Sequence, residues 1–265
     1  MHSYYEMIGY QHPGGPVAEG APPVPDMSRT SFFIDFDGTL IDPCPRPGDV
    51  RVPRAAHEAL GDLVRLTGGA VALITGRDLD EVRRLLPDFD GAIIAAHGAE
   101  WRLGSRMERH PMANSPEVKQ MARIAAAFAA TDPRMTVEPK ATGVAIHVRD
   151  APDLEGEAYR FMEGLHAHFP NFAVSRGRGY TELRPIGTSR LNALRAMMTR
   201  PPFLGRTPLY VGDDMLDEQA MRYVAELGGV AIKVGDSESF ATHRLRSPAH
   251  LHRCLSSWCA AEPVA

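Results

Sequence analysis

The chain has 265 residues, 44% hydrophobic and 23% charged, which is enough for a sizeable core without disulfides or a structural metal. A formal charge of -4 argues against a nucleic-acid binder that works through a basic surface. No apolar run reaches the roughly 20 residues of a membrane helix, no secretory leader opens the chain, and Cys44, Cys254 and Cys259 form no CxxC pair, so the expectation is a cytoplasmic monomer with no membrane or nucleic-acid partner.

Residues 1–28 mix Gly, Pro and small side chains without apolar periodicity and read as a disordered or loosely docked tail. An α/β rhythm follows. Strands are expected at 31–35, 69–75 and 91–98, alternating with helices at 55–66 and 78–86. The strands are nearly continuous apolar runs, which implies a parallel sheet covered on both faces. From 109 to 184 the rhythm changes: helix 116–130, paired strands within 135–149, helix 154–169, and two more strands within 172–184. That order suggests an antiparallel sheet with helices on one face. After Gly187 the first rhythm returns, with helices at 189–198 and 217–227, strands at 208–214 and 229–235, and a last helix near 249–259. The fold class expected is therefore an α/β parallel-sheet core (29–108 and 185–265) interrupted by an inserted α+β domain (109–184).

In an open parallel sheet, ligands bind beyond the carboxyl ends of the strands. Here those ends are acidic. The first strand runs into Asp35-Phe36-Asp37-Gly38-Thr39, the second into Thr75-Gly76-Arg77, and a late one into Gly212-Asp213-Asp214, with Asp217 opening the next helix. One aspartate at a strand end is most often a cap or turn former. Several converging on one crevice repel unless a cation sits among them, and a hard divalent ion with oxygen ligands, Mg2+, is the simplest resolution. Such a site leaves one carboxylate free to act as nucleophile and another as acid and base.

These motifs, spread from Phe32 to about Val234, resemble those of the haloacid dehalogenase superfamily of phosphotransferases. The resemblance implies that Asp35 attacks phosphorus, that Asp37 serves as acid and base, and that Thr75 binds a phosphoryl oxygen. It also implies Mg2+ held among Asp35, Asp37 (through its backbone carbonyl), Asp213 and Asp214. The superfamily's third motif usually carries a lysine, and the matching position here is Arg190. Arginine is a permanently charged, forked phosphate binder but bulkier than lysine. Only Lys119, Lys140 and Lys233 stand among the 29 basic residues, so a functional replacement is the expectation.

The inserted segment is similar to that of the trehalose-6-phosphate phosphatase family. The similarity rests on Glu138-Pro139-Lys140, on Ala145-Ile146-His147-Val148-Arg149, on Gly177-Arg178-Gly179-Tyr180-Thr181-Glu182-Leu183-Arg184-Pro185, and on His97-Gly98-Ala99-Glu100 after the third strand. It implies trehalose 6-phosphate as substrate, with Gly76, Arg77, Lys140, Arg178 and Glu182 as binding residues. Glu100 is either a further ligand or a rim carboxylate paired to Arg102. His147 is expected to be packed or hydrogen-bonded, and Trp101 to be packing.

Receiver domains lack the insertion and the DxDGT motif, dinucleotide enzymes need a GxGxxG that is absent, and phosphorylated pumps need membrane helices. Two alternatives stay open: a related phosphatase for another sugar phosphate, such as sucrose 6-phosphate, and a catalytically silent sugar-phosphate binder motivated by Arg190.

Overall fold

The computed structural model describes residues 22–43, 50–177 and 179–261. Residues 1–21 of the expected tail, Cys44 and the candidate ligand Arg178 lie outside the described residues. Of residues 22–28, also expected in the tail, Pro22 and Met27 are buried against the body. Met27 is buried in the main core, and Arg206 Nη1 donates to its backbone oxygen at 3.0 Å.

The first run of elements is β1 (Thr30–Asp35), α1 (Arg54–Leu66), β2 (Val71–Ile74), α2 (Leu79–Leu85), β3 (Ala92–Ala95), β4 (Glu100–Leu103) and β5 (Arg106–Arg109). The middle holds α3 (Pro116–Ala129), β6 (Thr136–Lys140), β7 (Gly143–His147), α4 (Glu155–His166), β8 (Phe172–Gly177) and β9 (Tyr180–Pro185). The chain then runs through α5 (Arg190–Met198), β10 (Thr207–Gly212), α6 (Glu218–Glu226), β11 (Val230–Val234), β12 (His243–Leu245) and α7 (Pro248–Ala261).

The large sheet has the order β12-β11-β10-β1-β2-β3-β4-β5, parallel from β12 to β3 and antiparallel at β4 and β5. Alternation along β1 divides its side chains between two layers. Phe32 and Ile34 enter a core shared with Leu60 of α1, Val82 of α2 and Leu255 of α7. Phe33 enters the other layer, with Leu194 of α5, Val224 of α6 and Tyr210 of β10. Each of these three β1 side chains is fully buried, a contribution of roughly 1.5–3 kcal/mol apiece.

The smaller sheet, β6-β7-β9-β8, is antiparallel throughout, and α3 and α4 cover one of its faces around Val144, Ile146, Phe172 and Leu183. Its open face is set by register. Glu138, Ala145, Glu182 and Ser175 lie abreast across the four strands and share a side.

Two features differ from expectation. The third strand stops at Ala95 because Ala96 and His97 both adopt positive φ (44° and 54°), a region bulky L-residues rarely enter. Beyond it, residues 100–109 form the β4–β5 hairpin and extend the large sheet. The short β12 was likewise not expected, its three residues being too few for a periodic signal.

Candidate active site

β10 and β2 flank β1, so the chain's crossovers diverge there and a crevice opens beyond the carboxyl ends of β1 and β10. Asp35 is the last residue of β1, and Asp213 follows the last residue of β10. Carboxylate oxygens of Asp35, Asp213 and Asp217 lie within 4.8 Å of one another. The loops are tightened to allow this. Gly38 has φ of 85°, and a Cβ there would overlap the Asp213 carboxylate. A Cβ on Gly212 would likewise overlap the Asp217 carboxylate.

Arg190 enters the same crevice. Ser189 caps α5 by accepting from Asn192 N at 3.0 Å, which makes Arg190 the helix's first residue. Its Nη1 lies 2.8 Å from Asp35 Oδ1 and also donates to Asp217 Oδ1. Burial, the repulsion of Asp217 and Asp213, and only partial relief from Arg190 push the Asp35 carboxyl well above its usual range. Burial and the neighbouring Asp217 and Asp214 carboxylates push Asp213 up to about 6. Arg190 is correspondingly held in its charged form by Asp217 and Asp35 against the burial that disfavours it.

The cluster fits a divalent cation. Its donors are all carboxylate oxygens, neither buried Asp35 oxygen accepts a hydrogen bond from the described residues, and the local excess of negative charge is only partly met by Arg190. Asp214 stands apart from the three-carboxylate group. Its side chain accepts from Met215 N and forms a reciprocal capping box with Asp217. The resemblance puts Asp214 in the metal set with Asp213; in the structure its carboxylate is engaged in this cap, outside the clustered three.

The other core residues lie around this centre. Asp37 is gripped by Arg77 through two parallel hydrogen bonds, Nε to Oδ2 at 2.8 Å and Nη2 to Oδ1 at 2.7 Å. Thr75 is buried, and its Oγ1 accepts from Arg77 N at 3.1 Å. The strained turn after β3 is clasped to this loop, with Ala96 N donating to Arg77 O and His97 N to Thr75 O.

The smaller sheet reaches down to the same loop. Lys140 Nζ donates to the backbone oxygen of Gly76 at 3.0 Å and lies 3.3 Å from Glu182 Oε1. On the other side of Glu182, His97 Nε2 lies 3.1 Å from Oε2. Burial raises the Glu182 carboxyl, but Lys140, His97 and Arg184 outweigh it and hold the group well below the carboxylate range. Burial drives His97 down to about 4 despite the pull of Glu182, so its imidazole is neutral at pH 7. Glu138, named in the motif but not as a site residue, lies 3.9 Å from Lys140 Nζ and 2.7 Å from His147 Nε2.

Glu100 is not brought to the crevice. It is fully buried, accepts from Leu79 N at 2.7 Å, and pairs with Arg109 Nε at 3.0 Å. It anchors the start of α2, and its partner is Arg109 because the hairpin register sets these two residues opposite each other. Arg102 instead donates to Phe89 and Gly91 carbonyls. Trp101 stacks beneath Arg200, whose guanidinium carbon is 4.3 Å from the ring centre.

Residues 33–250 match the family model described as trehalose-phosphatase. The chain is 35% identical over 211 residues to a probable trehalose-phosphate phosphatase of Sinorhizobium fredii, covering 79% of each chain. It is 33% identical over 226 residues to trehalose-6-phosphate phosphatase of Escherichia coli, covering 83% of this chain and 84% of that one. Among solved structures it resembles the C. albicans trehalose-6-phosphate phosphatase C-terminal domain, with TM-score 0.76, 18% identity, and coverage of 88% and 92%. It also resembles a haloacid dehalogenase-like hydrolase from Bacteroides thetaiotaomicron, with TM-score 0.60, 16% identity, and coverage of 86% and 99%. The fold is thus the haloacid dehalogenase-like parallel-sheet core carrying an inserted α+β cap.

Proposed function

The chain belongs to the trehalose-phosphatase family, and we propose that it hydrolyses trehalose 6-phosphate to trehalose and inorganic phosphate. The observation that carries the chemistry is the contact of Arg190 with Asp35 at the end of β1, 2.8 Å between Nη1 and Oδ1. A guanidinium placed there supplies the positive charge that a lysine supplies in the related motif. That placement favours a working enzyme over a silent binder.

Phosphate monoesters are so inert that enzymes supply up to about 10²¹-fold acceleration, most of it by positioning and charge. Asp35 attacks phosphorus along the line opposite the sugar oxygen, forming the aspartyl phosphate as the phosphorus–oxygen bond breaks. Asp37 delivers a proton to the departing sugar oxygen. It then takes one from the water that attacks the aspartyl phosphate, which frees inorganic phosphate and restores Asp35. Arg190 and Thr75 hold phosphoryl oxygens through both steps. A divalent cation, for which we propose Mg2+ held by Asp35, Asp213 and the Asp37 carbonyl, supplies charge that offsets the repulsion between carboxylate and phosphoryl group.

Substrate choice falls to the cap. Lys140 and Glu182, beside the Gly76–Arg77 loop, offer the cation and the carboxylate that sugar hydroxyls and a phosphate need, and the motif adds Arg178 to them. The neutral, buried His97 supports the position of Glu182 from the core side. The proposed setting is a monomer in the cytoplasm, a reading consistent with the free cysteines Cys254 and Cys259. No helix among the described residues is long and apolar enough to cross a membrane.

Phosphate release with Mg2+ from trehalose 6-phosphate, sucrose 6-phosphate and glucose 6-phosphate tests the proposal. Turnover concentrated on trehalose 6-phosphate is expected. Preference for another ester would keep the chemistry and overturn the reading of the cap.

A further inference from the structure

β10 reads Thr-Pro-Leu-Tyr-Val-Gly, and all but its first residue are buried. Tyr210 packs in the layer with Phe33 and Phe203, where a phenylalanine would fill the same volume. Its hydroxyl is therefore surplus to packing and, being fully buried, needs a partner. The partner is Asp217 Oδ1, at 2.5 Å, the same oxygen that receives Arg190 Nη1. The other oxygen, Oδ2, accepts from Asp214 N at 3.0 Å. Asp217 is thus fixed at both oxygens by β10 and by the turn that follows it.

Arg190 depends on that fixation more than a lysine would. Its Nε is buried with no hydrogen-bond partner among the described residues, and Nη1 makes both of its contacts to carboxylates. An ammonium is a point charge that works from any rotation about its stem, whereas a guanidinium is a plane whose orientation decides which N–H faces the phosphoryl group. With Nε unbound, the plane is set through Nη1 by Asp217, and Asp217 is set by Tyr210. We infer that Tyr210 is a positioning residue for catalysis, acting through Asp217 to orient the Arg190 guanidinium toward Asp35 and the phosphoryl group. This rests on the phosphatase reading only for its kinetic consequence; the orientation itself is a property of the free protein.

The test is a double-mutant cycle of Tyr210→Phe and Arg190→Lys, with kcat, KM and Tm measured for each protein. Losing the buried hydrogen bond to the carboxylate that orients Arg190 should lower kcat about tenfold in Tyr210→Phe. KM should change by less than about twofold, because ground-state binding is not what the hydroxyl serves. In the Arg190→Lys background, removing the hydroxyl should change kcat by less than about twofold, since a point charge needs no plane. Equal losses in both backgrounds, no loss at all, or a loss that merely follows the fraction folded would overturn the inference. If the wild type proves silent on trehalose 6-phosphate, the substrate reading fails, and the inference is decided by arginine NMR on the metal-free protein. Rotation of the Arg190 guanidinium about Cζ–Nε should then be at least several-fold faster in Tyr210→Phe than in wild type, and an unchanged rate would refute it.

Discussion

Lys140 of the cap donates its Nζ to the backbone carbonyl of Gly76 in the core, at 3.0 Å. This is a direct tie between the second sheet and the loop after β2. The same ammonium lies 3.3 Å from the buried Glu182 carboxylate, so the tie and the buried charge share one group.

Lys140→Met should therefore do two separable things. It leaves Glu182 buried without its nearest cation, which costs about 3 kcal/mol or more by urea denaturation. It also frees the cap, so amide exchange across residues 116–185 should speed up, and KM should rise by at least about an order of magnitude. Unchanged exchange in the cap would show that the Gly76 contact does not hold it.

Arg77 bears on the acid and base. Its fork grips both Asp37 oxygens, a geometry lysine cannot copy. Arg77→Lys should lower kcat roughly tenfold by leaving the Asp37 carboxylate free to rotate, with a fall in Tm that reflects its weakened pairs to Asp37 and Glu81. A wild-type kcat in this variant would remove Arg77 from the account.

His97 sets a pH dependence of stability. Its folded-state pKa is about 4, depressed by burial, while the unfolded chain titrates near 6.5. Between these values the unfolded state binds more protons, so stability rises with pH. The contribution is present above about 6.5 and is lost as pH falls toward 4, up to roughly 3 kcal/mol for one fully buried group. His97→Gln should flatten that slope between pH 4 and 6.5. An identical slope in wild type and variant would contradict it.

Charge at the three-carboxylate cluster predicts the effect of metal. Chelation should abolish turnover reversibly. Mg2+ at about 100 times its dissociation constant should stabilise the wild type by roughly 3 kcal/mol, read as a rise in Tm. Asp213→Asn should lose most of that rise, because one of the clustered carboxylates is then neutral. A full Mg2+ stabilisation in Asp213→Asn would place the cation elsewhere.

Much of this architecture was written locally. The alternation of buried strands and amphipathic helices located the core elements, and the acids stood at strand ends where a parallel sheet opens. What escaped was decided by contacts distant in sequence. Glu100 was weighed as a substrate ligand but is claimed by Leu79 N and Arg109, a pairing fixed by a hairpin whose alternation is too weak to see. Asp217 was placed with the late acidic motif, but which of those acids meet was not legible: the fold brings Asp217, rather than Asp214, into the group with Asp35 and Asp213. Tyr210 carried no signal at all, since a tyrosine in an apolar strand looks like packing until its hydroxyl is seen against Asp217.

Asp35 should carry the phosphoryl group of trehalose 6-phosphate during turnover. Borohydride reduction of the enzyme during turnover with Mg2+, followed by mass spectrometry of the peptide carrying Asp35, tests it most directly. Homoserine is expected at position 35, with none formed in the absence of substrate or in Asp35→Asn, which should also be inactive. Trehalose release accompanied by an unmodified Asp35, or sustained by Asp35→Asn, would contradict it.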